Sequence, residues 1–364
     1  MNFSVQDVIF SNELDFSDTI KIQSSRKIYD VVYSNKTLDT LVNEIYKEND
    51  LIFIDRNVYN LSQSTFICIK NIYIFDASED TKNIDSVLQI TDLLYSINFT
   101  KQNKMIVIGG GITQDVGGFA AGIYKRGINW VFIPTTILSM TDSCIGSKVS
   151  VNRISKNILS LFIAPNNIFI SDFFLNSLSD DDIISGVGEA LKLSLIGGET
   201  SLLFFKEKYE QHDYISIIKM ASLVKKQIIE YDEFENNVRN VLNYGHTIGH
   251  AIEGTTNYFI PHGIAVLIGM YVENRLFEDD IDINVKYTEI NDIILNLVNP
   301  KFFNIDFDYS LFIKHMLSDK KNRGNDVCFI FLEKIGSTKI IYKHIDMINY
   351  QLKNILQLLF KSII

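Results

Sequence analysis

The run Val107-Ile108-Gly109-Gly110-Gly111-Ile112-Thr113-Gln114-Asp115-Val116-Gly117-Gly118-Phe119 decides the fold class. It continues an apolar strand, Lys104 to Ile108, passes through three glycines and goes on at helical spacing. A strand, a glycine turn and a helix in that order leave free backbone N–H groups at the helix start, where a pyrophosphate is favoured. The glycines depart from GxGxxG, so the run alone does not make a standard dinucleotide fingerprint.

Working outward, Lys27 to Tyr33, Leu51 to Ile54 and Asn71 to Phe75 read as strands. Thr37 to Lys47 and Ile84 to Ser96 have helical spacing between them. Downstream, Trp130 to Ile133 and Asn167 to Ile170 extend the set. The alternation predicts a mostly parallel sheet covered by helices. Asp55 closes one strand, and Glu79 and Lys82 follow another, so all three are expected at the carboxyl edge where such sheets bind nucleotides.

Beyond Phe174 the pattern becomes helical, over Asp181 to Leu195, Ile215 to Ile229, Ala251 to Phe277 and Ile345 to Phe360. The SLSDDD turn at 177–182 marks the change. The expected division is a Rossmann-like, nucleotide-binding α/β domain over residues 1–176 and a mostly helical domain over 177–364. The apolar tail Ile355 to Ile364, interrupted by Lys361, is too short for a membrane span and is expected to pack as a terminal helix.

Composition narrows the function. The 364 residues carry 34 Lys+Arg against 44 Asp+Glu, a net charge of −10, which disfavours sequence-independent binding to nucleic acid or anionic membrane. With 46% hydrophobic and 21% charged residues the chain is globular in character. Cys68, Cys144 and Cys328 lie far apart without CxxC spacing, which points to a reducing cytoplasm rather than a disulfide framework or thiolate zinc site. Met1 to Asp7 has neither the basic nor the apolar region of a secretion signal.

Two stretches carry candidate chemistry. Arg126, Asp142, Lys148, Lys156 and Asn157, interleaved with Ser143, Gly146, Ser147 and Ser150, suggest the lining of a polar cleft. The second is Asn243-Tyr244-Gly245-His246-Thr247-Ile248-Gly249-His250-Ala251-Ile252-Glu253, followed by Pro261-His262-Gly263. If helical, it puts Asn243, His246 or Thr247, and His250 on one face. Three of the six histidines fall here. Two imidazoles, a carboxylate and an open position make a catalytic rather than a structural zinc site. The carboxylate candidate is Glu189 in Gly186-Val187-Gly188-Glu189, where the glycines are expected to leave room for a ligand. Lys192, Lys225, Arg239, Lys320 and Lys321 could then form a pocket for a substrate bearing phosphate and carboxylate.

These motifs together resemble the 3-dehydroquinate synthases and, more widely, the sugar-phosphate cyclases. The resemblance runs from Asp55 to Gly336. It rests on DRNV at 55–58, SEDTK at 78–82, GGGITQDVGGFAAGIYKRG at 109–127, PTT at 134–136, DSCIGSKVSVN at 142–152 and KN at 156–157. It continues through GVGEALK at 186–192, RNVLNYGHTIGHAIE at 239–253, PHGIAVLIGM at 261–270 and DKK at 319–321.

The resemblance implies zinc, or cobalt in its place, on Glu189, His246 and His262. NAD would lie across Asp55, Asn57, Glu79, Lys82, Gly110, Gly111, Asp115, Thr135 and Thr136, with Asp142 and Lys156 also near it. Lys148, Asn157, Asn243 and His250 match holders of the substrate phosphate. Arg126 matches a residue lent by a neighbouring subunit, which implies a homodimer. Asp142, Lys192, Lys225, Arg239 and Lys320 or Lys321 match the groups around the hydroxyls and carboxylate. Ser147, where a second glycine is usual, and Ser160-Leu161 depart from the family pattern.

The implied reaction converts 3-deoxy-D-arabino-heptulosonate 7-phosphate to 3-dehydroquinate and phosphate. It proceeds by transient oxidation, phosphate elimination, re-reduction and aldol closure. The alternatives are a sister cyclase making a cyclitol ketone and a metal-dependent alcohol or glycerol dehydrogenase. A chain that binds without catalysing is disfavoured by the joint presence of Glu189, His246, His262, Lys148 and His250.

Overall fold

The structure, a computed structural model, describes residues 1–11, 15–278 and 287–363. The chain divides into two compact units, Phe16–Leu178 and the combination of Met1–Asp15 with Ser179–Ile364. The expectation that residues 1–15 belong to the first domain is therefore corrected. Asn2–Val5 pairs in parallel with Ser337–His344, so the backbone hydrogen bonds of the first strand are made with the second unit.

The Phe16–Leu178 unit has the expected α/β form. Its seven-stranded sheet runs in the order Thr19–Gln23, Ile28–Ser34, Asn167–Ser171, Asn129–Pro134, Lys104–Gly109, Leu51–Asp55, Ile72–Phe75. The first pair is antiparallel and every other pair is parallel. Leu51–Asp55 is buried throughout, as a central parallel strand must be. From it the chain steps to Ile72–Phe75 on one side and returns to Lys104–Gly109 on the other. The carboxyl ends carrying Asp55 and Gly109 thus meet where the strand order reverses, the usual crevice for a ligand in such sheets. The helix Gly111–Ile123 lies tight on this sheet because Gly117 has no Cβ; one placed there would sit 2.9 Å from Phe53 and from Val107.

The second unit has more strand than expected. Asp326–Lys334, Ser337–His344, Asn2–Val5 and Val8–Ser11 form a four-stranded sheet beside the helices. The expected helix at Ala251 to Phe277 is two helices, His246–Thr255 and His262–Leu276. Asn257 and Tyr258 adopt φ of 48° and 60°, and Pro261 disfavours helical backbone at Ile260, so the apolar periodicity crosses a reversal it does not register. The terminal helix ends at Leu359, and Ser362–Ile363 pairs with Asp306–Phe307; Ile364 lies outside the described residues. No helix among the described residues is long and apolar enough to cross a membrane.

Candidate active site

Three helices of the second unit bring Glu189, His246 and His262 together, and glycines set their spacing. On Asp180–Ile196, a Cβ at Gly188 would lie 2.5 Å from the Gly263 carbonyl oxygen, and one at Gly263 would lie 1.7 Å from that of Ser185. Gly188 therefore serves helix contact, not room for a ligand as expected. That contact draws Glu189 up to His262. The His246–Thr255 helix begins at Gly245, whose φ of 76° is left-handed and whose position against Val266 leaves no space for a side chain.

Glu189 Oε1 lies 3.5 Å from His246 Nε2 and 3.7 Å from His262 Nε2. Ligand bonds of about 2.1 Å in a tetrahedron put donor atoms about 3.4 Å apart, so both imidazole nitrogens stand close to the separation from Oε1 that a zinc-type site needs. Oε1 is buried and has no hydrogen-bond partner, while Oε2 accepts from the buried Lys192 ammonium. An unpartnered buried carboxylate oxygen is costly unless a cation meets it. Each histidine Nδ1 is engaged, His246 with the Tyr244 carbonyl and His262 with Glu253, both at 3.1 Å. Burial, reinforced by the Lys192 charge and the other imidazoles, holds His246 well below the usual histidine range, so its ring is neutral and its Nε2 lone pair available. The donor set fits a divalent metal.

His250 stands beside these rings; the donor nitrogens of His246, His250 and His262 lie within 4.8 Å of one another. Its Nδ1 is 3.9 Å from Asp319, which Lys321 also approaches at 3.4 Å. Of the expected lysine pair, Lys321 joins this cluster, while Lys320 is exposed. Lys225 and Arg239 are buried in the same unit, and the Arg239 guanidinium donates to the Glu233 carbonyl. Asn243 lies in the 3-10 turn Val238–Asn243, outside the histidine helix, so it does not share a helical face with His246 and His250 as expected; its amide donates to Glu235 at 3.3 Å. Asp319, Glu253 and Glu235 were not singled out in sequence.

In the α/β unit, Lys82, Asp115 and Asn157 form one network. Lys82 Nζ meets Asp115 at 2.6 Å and donates to Asn157 Oδ1 at 2.7 Å. Asp115 also accepts the Ser150 N–H at 2.8 Å, tying it to the strand that begins at Lys148. Asn152 donates to Glu79 at 3.0 Å, and Lys156 stands 4.0 Å from the same carboxylate. Asp55 caps the helix Arg56–Leu61, accepting from the Asn57 N–H at 2.8 Å. Gly110 and Gly111 lie against Thr136 and Ser143, and Thr135 N–H binds the Gly109 carbonyl. Asp142 sits in the following turn, Ser139–Ser143.

The 3-dehydroquinate synthase N-terminal family matches residues 72–185, and the 3-dehydroquinate synthase C-terminal family matches residues 186–322. A 3-dehydroquinate synthase of Pelagibacter ubique is 36% identical over 349 residues, covering 89% of this chain and 94% of that protein. The chain belongs to the 3-dehydroquinate synthase family. Another 3-dehydroquinate synthase, from Clostridium tetani, is 35% identical over 85% of this chain and 87% of that protein.

Among solved structures, a 2-deoxy-scyllo-inosose synthase complexed with carbaglucose-6-phosphate, NAD+ and Co2+ superposes with a TM-score of 0.78 at 20% identity. It covers 93% of this chain and 99% of that one. A 2-epi-5-epi-valiolone synthase from Streptomyces hygroscopicus with NAD+ and Zn2+ bound gives 0.73 at 20% identity, covering 91% and 96%. These two share the fold. Ser147 stands at φ 62°, a left-handed conformation that favours glycine, so the backbone beside Lys148 is strained.

One buried acid in this family member makes a pH prediction. Glu273, on the His262–Leu276 helix, accepts the Gly245 N–H at 3.2 Å, and burial pushes its carboxyl up to about 8, against the pull of that N–H and of Lys321. The folded state therefore holds this proton above the ordinary carboxylate range. Its contribution is full below pH of about 4.5 and is lost as pH rises through about 8, on the order of a few kcal/mol. Glu273→Gln should flatten the difference between urea unfolding at pH 5 and pH 8.5, and an unchanged pH dependence in the variant would refute it.

Proposed function

We propose that the chain is a 3-dehydroquinate synthase, converting 3-deoxy-D-arabino-heptulosonate 7-phosphate to 3-dehydroquinate and phosphate. The observation that carries it is the buried, unpartnered Glu189 Oε1 facing the Nε2 atoms of His246 and His262, in a chain of this family. Glu189, His246 and His262 would hold a divalent zinc or cobalt ion. When bound, it supplies Lewis-acid stabilisation to the hydroxyl being oxidised. NAD, held by the carboxyl-edge residues Asp55, Glu79, Gly110, Gly111 and Thr135, supplies transient hydride acceptance and return.

The chain's own side chains do the rest. Lys192 neutralises Glu189 Oε2 and so leaves Oε1 as the ligand atom. Arg239 and Lys225, buried cations, suit the substrate carboxylate. As the imidazolium, backed by Asp319 on its Nδ1 side, His250 would donate its Nε2–H to the substrate phosphate. In the α/β unit, Asn157 spends its carbonyl on Lys82 and Ser150, so its amide nitrogen is the end that would donate to a bound anion. Held this way, the departing phosphate stays close to the proton it removes, which is catalysis by proximity.

A homodimer belongs with this activity. Arg126 is exposed at the far end of Gly111–Ile123, about 20 Å along the helix from its own glycine turn, which suits service to another copy. Three free cysteines suit a reducing cytoplasm.

Incubated with NAD, zinc and the heptulosonate phosphate, the protein should release phosphate and dehydroquinate in equal amounts with no net NADH. Turnover of only a non-carboxylated sugar phosphate would assign it to a sister cyclase. Accumulating NADH would make it a dehydrogenase.

A further inference from the structure

Glu253 lies on the His246–Thr255 helix, yet its carboxylate, 4% exposed, meets a residue of the next helix: Oε2 is 3.1 Å from His262 Nδ1. An imidazole whose Nδ1–H donates to a carboxylate presents Nε2 as a fixed lone pair, and here that nitrogen faces Glu189 Oε1. His246 reaches the same orientation by donating to a neutral carbonyl of its own turn. The two histidines therefore differ in what stands behind them, an anion for His262 and a peptide oxygen for His246.

Local charge strengthens the point. Lys192 holds Glu189 Oε2, so the carboxylate offers an ion at Oε1 less than its full charge. Asp319 is shared between Lys321 and His250. Glu253 is the anion bound directly behind one of the ligand rings.

We propose that Glu253 is a positioning residue for the metal centre, fixing the tautomer and orientation of His262 and thereby setting the affinity for the ion. This rests on Glu189, His246 and His262 being the ligands. Such outer partners are typically worth about 10–100-fold in metal affinity.

The test uses the full protein, stripped with a chelator and titrated with Zn2+ against a chromophoric competitor, and with Co2+ followed by its visible absorption. Glu253→Gln keeps the shape and loses the charge; it should bind Zn2+ about 10-fold more weakly, and Glu253→Ala about 100-fold. The cobalt band should shift in both. In the metal-free protein, imidazole 15N spectra should show His262 as a single Nδ1–H tautomer, and Glu253→Gln should mix the two. Wild-type affinity, cobalt spectrum and tautomer in Glu253→Gln would overturn the proposal, whatever the alanine variant does. A wild-type chain that takes up no metal would overturn the ligand assignment, and the proposal with it.

Discussion

Glu189→Gln is expected to leave the purified protein almost without metal and to abolish turnover. The substitution removes the only carboxylate of the proposed ligand set and puts a neutral amide between two imidazoles. Its effect on metal affinity should exceed the roughly 100-fold ceiling for an outer partner. It also strands Lys192, which is 1% exposed and donates to Glu189 Oε2. Removing one member of a buried pair costs about 3–5 kcal/mol, and the amide oxygen can still accept from the ammonium, so the lower end applies. Elemental analysis, phosphate release and urea unfolding would each report the change. Retained metal and turnover in this variant would remove the basis for the mechanism.

Gly263→Ala should be the most disruptive small substitution in the second unit. Alanine within a helix ordinarily gains about 1 kcal/mol over glycine. Here the added methyl would stand 1.7 Å from the Ser185 carbonyl oxygen, with the Ser185 carbon at 2.6 Å. Backbone on both sides cannot rotate away, so the helices must part. A net loss of about 3 kcal/mol or more is expected. Because the same contact carries Glu189 toward His262, metal affinity should fall with stability, read from the urea midpoint and a zinc titration. Gly324→Ala supplies the contrast. Gly324 has φ 63° and nothing within 4 Å of a built Cβ, so it should cost only about 1 kcal/mol and leave zinc binding intact. Equal effects at the two positions would show that collision is not the cause.

The α/β unit was legible because its strands and helices announce themselves by local period. Leu51–Asp55 and Lys104–Gly109 are apolar runs ended by polar or glycine residues, and the helices between them repeat at 3.6 residues. The same logic failed at residues 251–277, since apolar periodicity persists across the reversal before Pro261. It also passed over Asn2–Val5, a short strand whose partner lies at Ser337–His344. The proximity of Glu189, His246 and His262 agrees with the resemblance, but Glu253 and Asp319 acquire meaning only when separate helices meet. Gly188 was misread for the same reason. A glycine beside a candidate ligand looks like space, and only the partner helix shows that the space is filled by Gly263.

The parallel pairing of Asn2–Val5 with Ser337–His344 has a consequence for synthesis. Asn2–Val5 is made before the whole Phe16–Leu178 unit, and its partner in the sheet after it. On the ribosome that unit can complete itself while Asn2–Val5, paired on one edge with Val8–Ser11, waits with its other edge open to pairing with other nascent chains. Chaperone dependence or aggregation during expression should therefore originate at Asn2–Val5, and hydrogen exchange on stalled chains would find the edge that pairs with Ser337–His344 unprotected until that strand appears.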